Sequence, residues 1–164
     1  MNKQRAILTL DQVLEKYVEG PSSGIFTDGS CSGNPGPGGW GVVAVENNKI
    51  IKQKFGSAEH TTNNKMELTA LREAMKFAQN IKVSNIYTDS QLLVNTFTSW
   101  AVNWEKMGWR RKSGPIKNID LIKEIYFLFN NQSEYSLKWI PAHSGYRWNE
   151  YADALSTAYL REIL

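Results

Sequence analysis

After Gly24, three strand-like runs follow one another with no helix between them, and from residue 64 onward strands and helices alternate; this order constrains the fold more than any other feature of the 164-residue chain. The runs are Ile25 to Asp28, Trp40 to Val45 and Ile50 to Phe55, separated by a Gly/Pro-rich stretch and by Glu46-Asn47-Asn48-Lys49. Runs of this length with turn residues between them predict an antiparallel meander. Apolar residues at helical spacing then predict helices over 64–79, 91–98, 100–106 and 118–129 and from about Trp148 onward, with strands at 85–88 and 135–140. A meander followed by alternating elements predicts an α/β fold, a mixed and partly parallel sheet with helices packed on its faces.

With 41% hydrophobic residues the chain can bury one core of ordinary size, so one globular domain is expected over 24–164. Residues 1–23 read as an appendage. Thr9 with Gln12 makes a capping-box signature, Leu10, Val13, Leu14, Tyr17 and Val18 form an apolar stripe, and Gly20-Pro21 stop the helix. Such a helix either packs on the domain or serves as an arm for a partner. A single cysteine, Cys31, forms no internal disulfide, and no stretch approaches the ~20 apolar residues of a membrane span. With no leader-like N-terminus either, a soluble cytoplasmic monomer without membrane or obligatory protein partners is expected. The net charge of +3 is too mild to declare a nucleic-acid partner, but its distribution is uneven: Lys106, Arg110, Arg111, Lys112 and Lys117 with Glu105 give the 105–117 segment +4.

Four acids stand where acids are informative. Asp28 shares a strand face with Phe26 in an apolar run, and a carboxylate there needs compensation, most simply a cation. Glu67 lies in the first turn of its helix, on the row of Leu71, Ala74 and Ala78 that faces the sheet. Asp89 ends a strand, where Asp-Ser also suits a helix N-cap. Asp153 sits beside the apolar row Ala152, Leu155 and Tyr159 and would serve equally as a solvated surface acid. The chain has no Cys/His cluster for zinc, whereas carboxylates suit hard cations such as Mg²⁺ or Mn²⁺. Acids from several elements can hold two such ions about 3.5 to 4 Å apart and clamp a phosphodiester, which is the chemistry of phosphoryl transfer to water.

In chain order the sequence carries Thr27-Asp28-Gly29-Ser30, the glycine-rich run Gly33 to Gly41, Thr61-Thr62-Asn63-Asn64-Lys65-Met66-Glu67-Leu68 and Thr88-Asp89-Ser90-Gln91. Trp100 with Trp104, Gly108-Trp109, Pro115-Ile116-Lys117-Asn118, Trp139-Ile140-Pro141-Ala142-His143-Ser144-Gly145 and Asn149-Glu150 ahead of Ala152-Asp153 follow. This conjunction, spanning residues 24 to about 160, resembles the type 1 ribonucleases H of the bacterial kind. The resemblance implies a five-stranded sheet of order 3-2-1-4-5 and a metal-dependent endonuclease that cuts the RNA strand of RNA·DNA hybrids, leaving 5′-phosphate and 3′-hydroxyl ends. It implies that Asp28, Glu67, Asp89 and Asp153 bind two Mg²⁺ ions, with Mn²⁺ a substitute, and that His143 assists water activation or product departure. A histidine suits proton transfer near neutral pH; the other histidine, His60, carries no such match.

The resemblance also implies an RNA-side set, Asn34, Asn63, Asn64 and Gln91, whose amides both donate and accept, with Cys31 in the same loop as either a contact or a small turn residue. It makes Trp100, Trp104 and Trp109, interleaved with Lys106, Arg110, Arg111, Lys112 and Lys117, a basic handle for the DNA strand, although the tryptophans would also serve as core. Thr62 and Asn118 match residues that cradle a DNA phosphate. The run Gly33 to Gly41 is expected to be a substrate-proximal loop, with a plain hairpin connection as the alternative, and not a nucleotide-triphosphate loop, since its glycines precede a strand and no Gly-Lys-Ser/Thr follows. Two departures are visible: the segment from Trp109 to Pro115 is slightly short, and Tyr146-Arg147-Trp148 replaces a His-Pro-Glu-like run. A DNA-cutting integrase or resolvase would keep the acids without the amide set, and a non-catalytic hybrid-binding module would not keep all four acids and His143.

Overall fold

In the computed structural model, which describes residues 7–82, 85–131 and 135–164, the alternation of side chains along two strands explains how one sheet carries two cores. β1 (Gly24–Cys31) pairs antiparallel with β2 (Gly36–Glu46), which pairs antiparallel with β3 (Lys49–Thr61). β1 also pairs in parallel with β4 (Asn85–Thr88), and β4 with β5 (Ser136–Trp139), giving the order β3-β2-β1-β4-β5. Successive residues of a strand face opposite ways. Ile25, Val42 and Ala44 therefore join one core with Leu68, Leu71 and Met75 of α2 (Asn63–Ala78) and Ile122 and Ile125 of α5 (Ile119–Asn130). Phe26, Val43 and Val45 join the other with Trp148, Tyr151 and Leu155 of α6 (Arg147–Ser156).

The capping box forms: the Thr9 hydroxyl accepts from Gln12 N–H and the Gln12 side chain accepts from Thr9 N–H, and a short helix α1 (Leu10–Lys16) follows. Leu10 and Val13 are buried in the second core, and full burial of such side chains is typically worth about 1.5–3 kcal/mol each. The expectation for residues 1–6 of the appendage lies outside the described residues.

The glycine-rich run differs from the expected loop. Only residues 32–35 remain outside the strands, and Gly36 to Gly41 form the first half of β2, with Gly38 opposite Cys31 and Gly41 opposite Asp28. β3 is correspondingly longer than its apolar run, since it follows β2 as far as Thr61 opposite Gly36. Glycine reads as a turn residue, but here it permits close approach. A Cβ at Gly41 would stand 2.4 Å from Leu155 Cβ and 2.8 Å from Ala152 O, so the glycine lets α6 lie directly on the sheet beside Asp28. The expected helices over 91–98 and 100–106 are one continuous path: α3 (Gln91–Asn95), a wide π-type turn over Thr96–Trp100, and α4 (Ala101–Lys106).

Candidate active site

Four elements meet at the Asp28 end of β1, and each brings an acid. Asp28, on the Phe26 face, points toward α6 and is buried; its Oδ1 accepts a hydrogen bond from Gly29 N–H at 2.9 Å. Gly29 faces the other way, and a Cβ there would stand 2.3 Å from Glu67 N, so the glycine after the aspartate lets the first turn of α2 dock on the strand. Thr62 caps α2 by accepting from Lys65 N–H at 3.2 Å, and this fixes the turn that carries Glu67. Asp89 follows β4, and the N-cap of α3 is Ser90, whose hydroxyl accepts from Leu93 N–H; the capping role open to Asp89 is thus taken by its neighbour. Asp153 is half-buried on α6.

One carboxylate oxygen from each of Asp28, Glu67 and Asp89 lies within 4.8 Å of the others. Burial, and then the charges of Glu67, Asp89 and Asp153, raise the Asp28 carboxyl well above its ordinary value, and a hydrogen bond to Asp153 acts in the same direction. Burial first, then Asp89, push Glu67 up to about 8; burial and then Asp153 push Asp89 up to about 6. Like charges held together out of water are the cause in each case. Glu67 Oε2 is buried with no hydrogen-bond partner. An all-oxygen donor set with a buried unpartnered lone pair and surplus negative charge fits a hard divalent cation.

These shifts set a pH dependence with a definite sign. A carboxyl whose pKa is higher folded than unfolded holds a proton that unfolding releases, so its favourable contribution is present at low pH and is lost as pH rises. For Glu67 the window runs from its ordinary 4.5 to about 8, and for Asp89 from 3.8 to about 6. The metal-free protein should therefore lose thermal stability between pH 5 and 8 through this cluster, and millimolar Mg²⁺ should restore it by binding the ionised form. Melting curves across that range with EDTA or Mg²⁺ check this; a metal-free melting temperature that rises steadily to pH 8 would contradict it.

Sequence reasoning missed a second grouping. His143, Glu150 and Asp153 each offer a ligand atom within 4.8 Å of the others, and Asn149, buried next to Glu150, hydrogen-bonds Asp89. The available signal was spacing: Glu150 and Asp153 are three apart on one helix and share a face. His143 is exposed on the loop before α6 with a left-handed φ of 55°.

The other expected residues fall into two neighbourhoods. Asn34 Oδ1 accepts from Asn63 N–H at 3.0 Å, tying the loop that follows Cys31 to the start of α2, and the Cys31 thiol donates to Gly33 O. Gln91 is exposed, its amide donating to Asn95 Oδ1 at 3.4 Å. A cavity of about 160 Å³ joins Asn64 to Trp100, Trp104, Arg111 and Lys117. A second of about 390 Å³ lies under Trp104, Met107, Arg110 and Lys112. Trp100 and Trp104 stand 6.3 Å apart between ring centroids, whereas Trp109 packs edge-on against Tyr126 at 5.5 Å, with Lys123 over its ring. Lys106 is exposed at the end of α4. Asn118 stands at the N-cap position of α5 with a left-handed φ of 56° and makes no side-chain cap hydrogen bond. Arg111 donates to Gly114 O and Pro115 O and so holds its own loop.

Comparison with known proteins places this arrangement. The RNase H family model matches residues 21–161. The chain is 43% identical over 142 residues to the ribonuclease H of Hahella chejuensis, covering 85% of this chain and 94% of that protein. It is 42% identical over 137 residues to the ribonuclease H of Ehrlichia ruminantium, covering 83% and 92%. Among solved structures it superposes on LC9-RNase H1, a type 1 RNase H with the type 2 active-site motif, with a TM-score of 0.66 at 31% identity, covering 86% and 74%. RNase H1 of the halophilic archaeon Halobacterium salinarum gives 0.61 at 26%, covering 84% and 92%. A five-stranded sheet of order 3-2-1-4-5, an acid cluster built around Asp28 of its central strand and relatives matched over most of their length lead to one conclusion: this chain belongs to the ribonuclease H family, in its type 1 branch.

Proposed function

We propose that the chain hydrolyses the RNA strand of RNA·DNA hybrids at the carboxylate cluster, leaving 5′-phosphate and 3′-hydroxyl ends. The observation that carries this reading is the convergence of Asp28, Glu67 and Asp89 from three elements within ligand distance, with Asp153 near enough on a fourth to raise the Asp28 carboxyl. Asp28, Glu67, Asp89 and Asp153 would hold two divalent cations, Mg²⁺ with Mn²⁺ as a substitute. Such ions supply Lewis-acid charge stabilisation at the attacking and leaving oxygens of a phosphodiester.

The chain's own residues do the rest. Asn34, Asn63, Asn64 and Gln91, with Cys31 beside them, face the RNA strand, where amides can donate to and accept from a 2′-hydroxyl. Thr62 and Asn118 hold a DNA phosphate. Trp100, Trp104 and Trp109 with Lys106, Arg110, Arg111, Lys112 and Lys117 grip the DNA strand by phosphate contacts and flat apolar surface. His143, exposed beside Asp153, assists water activation or product departure by moving a proton. The catalytic domain covers 24–164, with Leu10 and Val13 of the preceding segment packed on it. None of the described helices is long and apolar enough to cross a membrane.

Strand-labelled duplexes test the reading: RNA in a hybrid should be cut, and RNA·RNA, DNA·DNA and the DNA of the hybrid should not. Cleavage of DNA·DNA would point instead to an integrase-like activity. His143→Ala should lower turnover by about 10²-fold, within the usual range of general acid–base help, with substrate affinity little changed. Parent-like turnover of that variant across neutral pH would remove the histidine from the mechanism.

A further inference from the structure

The loop that carries His143 has little to hold it in place from within. His143 and Gly145 both have left-handed φ, 55° and 85°, and the loop's own side-chain bond is Ser144 Oγ donating to Pro141 O at 2.9 Å. α6 begins two residues later at Arg147, and its N-cap, Tyr146, supplies no side-chain cap. First-turn N–H groups of a helix need outside acceptors. Here the acceptor comes from the far end of the sequence: Arg147 N–H donates to Glu19 O at 2.9 Å, and Glu19 pairs with Tyr146 as a parallel bridge. The Arg147 side chain adds a second bond, Nε donating to Tyr17 O at 2.7 Å. Gly20, at φ +96°, makes room for the Tyr146 side chain, since a Cβ there would stand 2.9 Å from Tyr146 Cβ and Cγ.

The segment from Tyr17 to Ser23 is itself anchored at both ends. Upstream, Leu10 and Val13 of α1 are buried in the core formed by α6 and the sheet. Downstream, Asn48 N–H donates to Ser22 O at 2.8 Å and Asn47 N–H to Ser23 Oγ at 2.9 Å, in the tight turn between β2 and β3. That turn also holds α6, since Trp148 Nε1 donates to Asn48 Oδ1 at 2.9 Å. A cavity of about 260 Å³ is lined by Leu8, Val13 and Tyr17 together with His143, Glu150 and Asp153.

We propose that residues 17–20 are a positioning element for the His143 loop, acting through Tyr146 and Arg147. The N-terminal appendage and the Tyr146-Arg147-Trp148 departure thus belong together: Tyr146 and Arg147 supply the side chains that the N-terminal segment grips. Arg147 and Gly20 are positioning residues and touch no substrate. This inference rests on the role given above to His143. Misplacing a reacting group by about 1 Å can cost as much as 10²-fold, so release of the loop should cost turnover and not affinity.

The test uses the full-length chain with two variants that break the contact from opposite sides, Arg147→Met and Gly20→Ala, each checked for a cooperative melting transition. Either one is expected to lower kcat by about tenfold with KM within about twofold and to speed amide exchange at residues 144–146, whereas Arg147→Lys, which keeps a donor, should retain most of the parent's kcat. Combined with His143→Ala, neither should lower kcat further, because the group they position is gone. Equal losses in both backgrounds would show a general structural effect and overturn the proposal. Parent-like kcat in the folded variants, with His143→Ala still slow, overturns it while leaving the role of His143 intact. Parent-like kcat of His143→Ala overturns both.

Discussion

Asp28→Asn is expected to lower hybrid cleavage in Mg²⁺ by about 10³-fold or more, while the metal-free variant melts at a higher temperature than the parent. Both effects have one origin. Asp28 is the most crowded of the acids, raised by burial and by Glu67, Asp89 and Asp153 together. Asparagine keeps the size and the oxygen that accepts from Gly29 N–H, but it removes the charge that a cation must neutralise and that its neighbours must otherwise endure. Relief of about 1 kcal/mol would raise the melting temperature of a domain this size by about 2–4 °C. Single-turnover cleavage beside calorimetry in EDTA at pH 8 measures both. A variant that turns over like the parent would remove Asp28 from the metal-binding set, and a lower metal-free melting temperature would contradict the electrostatic account.

Neutralising the handle as Arg110→Gln, Lys112→Gln and Lys117→Gln is expected to weaken hybrid binding strongly and to flatten the dependence of log affinity on log salt by about 2 to 3, at roughly 0.7–0.9 per lost phosphate contact. Arg111 is left in place because its guanidinium holds the loop carbonyls of Gly114 and Pro115, so its removal would confuse grip with loop shape. All three replaced cations are exposed. The acids stand on other elements, so cleavage at saturating substrate should survive. Binding titrations in Ca²⁺ at several salt concentrations, followed by single-turnover cleavage in Mg²⁺, separate the two. An unchanged slope would mean that these cations face solvent, and loss of saturated cleavage would mean that the handle positions the scissile strand.

Much of the architecture was legible because it is written in periodicity. Ile25 and Phe26 alternate between two cores, and the helical row of Leu71, Ala74 and Ala78 places Glu67 inward, so the buried acids could be read from their apolar neighbours. Gly36 to Gly41 misled because composition cannot distinguish glycine that turns the chain from glycine that makes room for a helix; the contact with Leu155 lies more than a hundred residues away. The wide turn at Thr96–Trp100 was likewise invisible, since helical spacing continues on both sides of it. Glu150 escaped because one acid near another on a helix usually marks a solvated face, whereas its burial and the approach of His143 distinguish it. The grip of Tyr17 and Glu19 on Arg147 uses backbone carbonyls, which every residue has, so no side-chain pattern announces it.

The central claim is that the converging carboxylates are a divalent-cation site that cuts RNA in a hybrid. Its most direct test is single-turnover cleavage of an RNA-labelled hybrid by chelator-stripped protein, before and after stepwise addition of Mg²⁺, with analysis of the product ends. The account predicts no cleavage in EDTA, recovery with added Mg²⁺ and 5′-phosphate products; cleavage that persists in EDTA, or products ending in a 2′,3′-cyclic phosphate, would contradict it.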